Sequence, residues 1–135
     1  METYRKSYKG LVWWMVLFCG GVLVLPFLPL GDGGVINRVL LVFIALGLAV
    51  LAYIIYRTES VYWYNGTSFE EAEAAGSARR RAFALAHLKH FAWCAVGMAA
   101  FCGLSQALGW PFWIDMVLGY AAIVAAAVST IRIRL

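Results

Sequence analysis

The sequence predicts an all-α integral membrane protein, a four-helix bundle made of two antiparallel transmembrane hairpins. Hydrophobic residues make up 64% of the 135 residues and charged residues only 13%, whereas about a quarter of a soluble chain is charged. The mean hydropathy is +0.80. Apolar runs recur with roughly the 20 residues that a helix needs to cross a bilayer. We expect one domain, residues 1–135, with spans at about 10–30, 37–57, 86–108 and 111–131.

The first predicted hairpin contains the runs at 10–30 and 37–57. The first run follows basic residues, as a secretory signal would, but it is longer than a signal and "LPFLPLGDGG" offers no small-x-small cleavage site. We therefore expect it to be a span. The glycine-rich segment at residues 31–34 predicts a flexible turn between the two helices.

The second predicted hairpin begins in a polar segment and ends near Ile131. No glycine or proline interrupts the chain from Ala78 to Gly97, which predicts one continuous helix that starts outside the membrane and runs into the third span. Gly109-Trp110-Pro111 then divides the apolar sequence into two passes.

The longest polar stretch, "YNGTSFEEAEAAGSARRRAFALAHLKHF", lies between the hairpins. Asn65-Gly66 is a turn dipeptide, and Ser68 followed by Glu71 is a capping box at the start of a short helix. Two interpretations of this segment stay open: the acids Glu70, Glu71 and Glu73 fold back on the arginines of residues 79–81, or the segment is a solvated hairpin.

The basic residues predict the orientation, because Lys and Arg near helix ends are retained in the cytoplasm. Placing both termini and the loop at 58–85 in the cytoplasm leaves Arg38 as the one basic residue of 11 on the other side. We expect a multi-pass protein of the bacterial inner membrane, in which the Asn65-Gly66-Thr67 glycosylation sequence stays unmodified. The net charge of +4 then reflects contact with the lipid bilayer, and no nucleic-acid partner is expected.

Small residues form one stripe of the third span. At about 100° per residue, positions spaced by four lie on one helix face, and small side chains there let a second backbone approach closely. We expect this face to pack, in a homo-oligomer or against another membrane protein. Its residues are Ala95, Ala99, Gly103 and Ala107.

A second stripe of the same helix contains His87, His90 and Cys94, which are types of residue that bind transition metals. A zinc site usually needs four ligands, and the sequence shows no fourth. Histidines at the end of a span also lie at the headgroup interface. The sequence favours this interfacial interpretation, and we predict neither a metal nor another cofactor.

Asp115 is the acidic residue that lies inside the boundary of a span, near the start of the fourth helix. We expect it to point into the bundle, within reach of Gln106 or Arg38. One interpretation is a structural carboxylate held by a polar partner and the helix dipole. The other is the mouth of an ion or substrate path.

One loop carries a family resemblance. Tyr64-Asn65-x-x-Ser68-x-Glu70-Glu71 resembles the "YNxxSxEE" turn of short bacterial membrane proteins of unknown function. Those proteins are distantly similar to the immunity family that protects cells from the sporulation-delay toxin. The resemblance covers this single loop and implies an immunity role.

Two function classes follow from the sequence. No nucleophile with a base, phosphate-binding glycine loop or pair of carboxylates is visible, so we do not expect an enzyme. The favoured hypothesis is a non-enzymatic accessory, immunity or regulatory subunit that acts through helix packing and the cytoplasmic loop. The alternative is a homo-oligomeric transporter or channel for ions or small molecules.

Overall fold

The computed structural model of the chain describes residues 3–64 and 66–135, and these residues form helices and short connections with no β-strand. Asn65 lies outside the described residues, so the predicted turn and the glycosylation sequence at this position have no structural outcome. The helices are α1 (Lys9–Val24), α2 (Gly33–Thr58), α3 (Phe69–Ala75), α4 (Ser77–Leu108) and α5 (Phe112–Thr130), with 3₁₀ turns at Leu25–Phe27 and Val61–Trp63.

Four of these elements are long and apolar enough to cross a membrane. They are Lys9–Phe27, Gly33–Thr58, Ser77–Leu108 and Phe112–Thr130. The all-α prediction and the prediction of four apolar helices of spanning length are confirmed. The continuous third helix is also present, as the 32-residue α4.

Local sequence determines where the helices begin and end. The carboxylate of Asp32 caps α2 by accepting a hydrogen bond of 3.0 Å from Val35 N. Gly109 ends α4 in the left-handed conformation, with φ of 69°, and Pro111 precedes α5. Glu59 ends α2 with φ of 57°, an unusual conformation for a residue with a side chain. Its carboxylate pairs with Arg80 and Arg81, as described below.

Helices α2, α4 and α5 form the core of the bundle. Leu41 and Ala45 of α2 pack against Ala95, Met98 and Cys102 of α4, and all five are at most 4% exposed. None of the residues of α1, all of which the structure describes, is buried, and this helix packs mainly on α2. The arrangement is therefore a three-helix core with one peripheral helix, which is less symmetrical than two equal hairpins.

Rings resting on glycines attach α1 to α2. Phe18 of α1 lies over Gly47, and Phe43 of α2 lies over Gly21, so a methyl group at either glycine would overlap the ring. The two rings also stack, with centroids 5.6 Å apart. The Trp14 indole donates a hydrogen bond of 2.9 Å to the Gly47 carbonyl. The sequence analysis did not predict this contact.

The two ends of the bundle differ. The end where α2 and α5 begin is called here the Arg38 end. At the other end, called the loop end, the 3₁₀ turn at Val61–Trp63 and α3 pack on α4. The Tyr62 hydroxyl donates to Ser7 O at 2.8 Å, and Arg79 donates to Leu135 O at 2.8 Å. Both terminal segments thus lie at the loop end.

Candidate functional site

A buried polar cluster lies at the Arg38 end. Asp115 and Ser105 are 0% exposed and Arg38 is 8% exposed. Arg38 Nε donates to Asp115 Oδ2 at 3.1 Å and Arg38 Nη2 donates to Ser105 Oγ at 3.2 Å. The Ser105 hydroxyl donates in turn to Asp115 Oδ1 at 2.5 Å. The three side chains join α2, α4 and α5 in one hydrogen-bonded group.

Two further oxygens complete the surroundings of Arg38. Its Nη1 donates to the Gln106 side-chain carbonyl and its Nη2 to the Trp110 main-chain carbonyl, in the turn between α4 and α5. The guanidinium thus has four oxygen partners. A buried charge with this many partners is compensated, which indicates a structural connection more than an open binding group.

The structure brings together the three residues that the sequence singled out at this end, Arg38, Gln106 and Asp115. Gln106 binds Arg38, and both oxygens of Asp115 are occupied by Arg38 and Ser105. Ser105 was missed by the sequence analysis. The sequence did contain a signal for it. Ser105 follows the buried Ala95, Met98 and Cys102 at intervals of three or four residues, which places all four on one face of α4.

An open groove of about 430 Å³ runs between α2 and α4 beside this cluster. Val39, Val42 and Leu46 line it on the α2 side, and Ala99 and Gly103 line it on the α4 side. Arg38 and Gln106 also line it. An apolar channel with small residues on one wall is a surface on which another helix can lie closely.

The small-residue stripe is split by this geometry. Ala95 is 3% exposed and packs in the core, but Ala99, Gly103 and Ala107 are exposed. A methyl group added at Gly103 would have no described atom within 4 Å. Within one chain only Ala95 of this face packs, because α4 turns Met98 and Cys102 toward α2 instead. Packing of the exposed part against a partner stays a prediction.

The three α4 residues of metal-binding type do not come together at one point in the structure. His87 is buried under the Tyr64 ring, with centroids 4.1 Å apart and planes 20° apart, and its Nδ1 lies 3.0 Å from Phe83 O. His90 is exposed and its Nδ1 lies 2.8 Å from Ala86 O. Cys94 is half-buried. Within residues 3–64 and 66–135, no group of three His, Cys, Asp or Glu residues is placed to hold a metal ion.

Arg80 is a second buried arginine, at the loop end, and is 4% exposed. Its Nε lies 3.2 Å from Glu59 Oε1, and its Nη1 donates to Ala72 O at 3.0 Å. Its guanidinium also lies 3.9 Å from the centroid of the Tyr4 ring, within the range of a cation–π contact. The other oxygen of Glu59 lies 3.6 Å from Arg81 Nε.

Glu59 thus takes the place that one interpretation of the sequence assigned to the acids of residues 70–73, and that interpretation is wrong for Arg80 and Arg81. The physical reason is local. Glu71 accepts a hydrogen bond of 3.0 Å from Ser68 N while Ser68 Oγ accepts one of 3.1 Å from Glu71 N, so the capping box occupies this carboxylate. Glu70 and Glu73 are exposed on the seven-residue α3.

Comparison with known proteins gives no relative: the chain matches no protein-family model, no curated protein and no solved structure. The fold and the site geometry therefore define its class, a small all-helical protein with four helices of membrane-spanning length. The resemblance of the loop to immunity proteins stays a prediction.

Proposed function

We propose that this protein is a multi-pass protein of the bacterial inner membrane that acts as a non-enzymatic accessory, immunity or regulatory subunit. It binds a transmembrane helix of a partner in the groove between α2 and α4. Both termini and the loop end face the cytoplasm in this proposal, and the Arg38 end faces the other side. The distribution of Lys and Arg supports this orientation, because ten of the 11 basic residues then lie in the cytoplasm or next to it.

The observation that carries the proposal is the exposed small-residue wall of the groove. Lipid tails are as apolar as leucine, so helices in a bilayer associate mainly through close van der Waals packing at small residues. Ala99 and Gly103 offer such a surface in the groove, the exposed Ala107 continues it along α4, and the chain itself leaves it uncovered. A second copy of the chain and another membrane protein are both suitable sources of the helix.

Cross-linking tests the interface directly. In a background without the native cysteines, a cysteine at Gly103 should cross-link to a partner helix in native membranes. A cysteine at Gly97 is the matched control, because both glycines are exposed on α4 and have no described atom near the added methyl group. Gly97 lies about 120° away around the helix. Equal cross-linking at both positions, or at neither, would contradict the proposal.

The same pair of sites tests the consequence for assembly. Gly103→Leu should lower the mass of the detergent-solubilised complex or release its partner, whereas Gly97→Leu should not. Because Gly103 faces open space within the chain, both variants should keep the thermal stability of the monomer. A loss of monomer stability in Gly103→Leu alone would mean that the residue packs within its own chain.

Cysteine accessibility tests the orientation. Cysteines placed at Ser68 and Gly33, both exposed and at opposite ends of the bundle, should react with an impermeant maleimide from opposite sides of the membrane. Reaction of both from one side would overturn the transmembrane arrangement.

Transport by a homo-oligomer is the alternative, and Asp115 is the observation that bears on it. An acidic residue inside a span is a common cation or proton site. Here both carboxylate oxygens are occupied and the residue is 0% exposed, which favours a structural role. Cation- or proton-coupled uptake into proteoliposomes that Asp115→Asn abolishes would instead support transport.

A further inference from the structure

Residues 4–8 form a non-helical segment that lies on the loop end and has no role in the helix-packing proposal. They precede α1 and contact both the loop and the first turns of α4. Four of the five, Arg5 to Tyr8, are exposed, whereas the side chains beneath them are buried: Tyr62 is 7% exposed and Arg80 is 4% exposed. The segment therefore covers a formed surface of the bundle.

The Tyr4 side chain is the anchor of this segment. Its ring stacks on Phe69, with centroids 5.1 Å apart and planes 4° apart, and the Arg80 guanidinium carbon lies 3.9 Å from its centroid. Its hydroxyl donates a hydrogen bond of 2.6 Å to Glu59 O. These contacts together select tyrosine, because phenylalanine lacks the hydroxyl and an aliphatic side chain lacks the ring face.

The main chain of Ser7 is the second point of attachment. The Tyr62 hydroxyl accepts a hydrogen bond of 2.7 Å from Ser7 N and donates one of 2.8 Å to Ser7 O, and Trp63 Nε1 donates to the same carbonyl at 3.0 Å. These contacts use no side-chain atom of Ser7, so any residue except proline can make them. Main-chain hydrogen bonds that hold a segment and a pocket that selects one side chain are the features of a peptide-binding site.

Two observations indicate that the segment is exchangeable. Helix α1, which follows it, contains no buried residue, so movement of the segment and of the start of this helix takes no α1 side chain out of the core. Glu59, whose carbonyl accepts the Tyr4 hydroxyl, has a left-handed φ of 57°. Residues with side chains adopt this conformation at a cost in free energy, and such residues concentrate at binding sites.

We infer that the loop end carries a peptide-binding site, that residues 4–8 occupy it as an internal ligand, and that a cytoplasmic segment of a partner protein replaces them. The site consists of Tyr62, Trp63, Phe69 and Arg80. The partner segment supplies a tyrosine and, three residues later, a free main-chain N–H and carbonyl. This inference goes beyond helix packing in the groove, and it rests on the proposed function only for the side of the membrane on which the partner segment lies.

Fluorescence anisotropy of a labelled peptide tests the site in the purified full chain. The probe is a peptide with the sequence of residues 3–9, TYRKSYK. Tyr4→Leu removes the anchor from the internal segment and leaves the site itself unchanged. This variant should bind the peptide saturably and about tenfold more tightly than the wild type, whose own segment competes at a high effective concentration. Tyr53→Leu is the matched control and should bind like the wild type, because Tyr53 is 51% exposed on α2, outside the segment.

Changes in the peptide and in the site measure the two attachments separately. Phenylalanine in place of the first tyrosine of the peptide should weaken its binding to the Tyr4→Leu chain about fivefold, the value of one hydrogen bond. Leucine at the same place should weaken it by a larger factor, because the ring contacts are lost as well. Tyr62→Phe, added to the Tyr4→Leu chain, should weaken binding of the unchanged peptide, because its hydroxyl makes two of the main-chain hydrogen bonds.

Ser7→Pro is a second way to free the site, because it removes a main-chain donor from the internal segment alone, and it should give a similar gain in peptide binding. Equal binding to the wild type and to Tyr4→Leu, equal binding of the tyrosine and leucine peptides, or no saturable binding would overturn the inference. Loss of the helical circular dichroism signal in both Tyr4→Leu and Ser7→Pro would also overturn it, because a chain that folds only with its segment in place cannot exchange it. These measurements in detergent require neither a bilayer nor a helix in the groove, so their failure and the failure of the proposed function are distinguishable.

Discussion

Each end of the bundle contains one buried arginine, and the two are compensated differently. Arg38 pairs with Asp115, which is 0% exposed, and all its described partners are oxygens in the interior or in the adjoining turn. Arg80 pairs with Glu59, whose side chain is 15% exposed and is shared with Arg81, and it also lies over the Tyr4 ring. The Asp115 carboxylate is closed to solvent, whereas the Glu59 carboxylate is partly exposed; Arg80 is as buried as Arg38 but has several alternative contacts.

The difference teaches how burial of the carboxylate changes the energetic role of an ion pair. Water does not reach the position of the fully buried Asp115, so an arginine that loses this carboxylate is left with an uncompensated charge, and the pair is strongly interdependent. Near a polar loop, water and neighbouring groups replace part of what is lost. We therefore expect the Arg38 end to be far more sensitive to single substitutions than the loop end.

The largest effect is expected at Asp115. Asp115→Leu leaves Arg38 buried without its counter-ion and should lower the free energy of unfolding by about 3–5 kcal/mol. The double variant Arg38→Leu, Asp115→Leu should recover much of this loss, because both charges are removed together. Chemical unfolding in detergent measures each value. Losses that simply add in the double variant would show that the two residues do not form an interdependent pair.

Glu59→Gln tests the ion pair at the loop end. It removes the carboxylate from Arg80 and Arg81 while it keeps the shape of the side chain, and we expect a loss of about 1–2 kcal/mol. Glu73→Gln, an exposed glutamate of α3, is the control and should change stability by less than about 0.5 kcal/mol. A loss at Glu59 as large as that at Asp115 would show that exposure of the carboxylate does not distinguish the two pairs.

A smaller effect is expected for the capping box that occupies Glu71. Ser68→Ala removes the acceptor for Glu71 N and should destabilise α3 by about 1 kcal/mol. The loss should be local, so amide hydrogen exchange should accelerate in residues 69–75 before it does in α4. The neighbouring Thr67→Ala, which leaves the cap intact, should not accelerate it. Uniform acceleration throughout the chain would mean that α3 unfolds only with the whole bundle.

The smallest effect is expected from the titration of Tyr4, the ring beneath Arg80. Burial raises the pKa of Tyr4 to about 12 from its ordinary value of 10.0, and the neutral hydroxyl donates to Glu59 O at 2.6 Å. A raised pKa in the folded state means that this stabilisation is complete below about pH 10 and is lost as the pH rises through about 12. The difference in melting temperature between wild type and Tyr4→Phe should therefore shrink over this interval. A constant difference would contradict the raised pKa.

Several features of the fold are local and were predictable for that reason. Apolar runs of spanning length determine four helices, since the hydrophobic content of about 20 successive residues does not depend on the rest of the chain. The capping box needs only Ser68 and Glu71, three residues apart, and it is present. The turn at Gly109 follows from the conformational freedom of glycine and the proline that comes soon after it.

The sequence alone therefore determined the helical class, the element order, the capping of α3 and the suggestion that Asp115 points toward Arg38 or Gln106. Only the tertiary structure decided that Ser105 joins this group across 67 residues from Arg38, that Glu59 and not the acids of α3 compensates Arg80, and that Gly103 faces outward. The physical reason is that these outcomes depend on how each helix is rotated about its axis and on which neighbours it meets. In α4, the rotation that buries Ala95, Met98, Cys102 and Ser105 necessarily exposes most of the small-residue stripe.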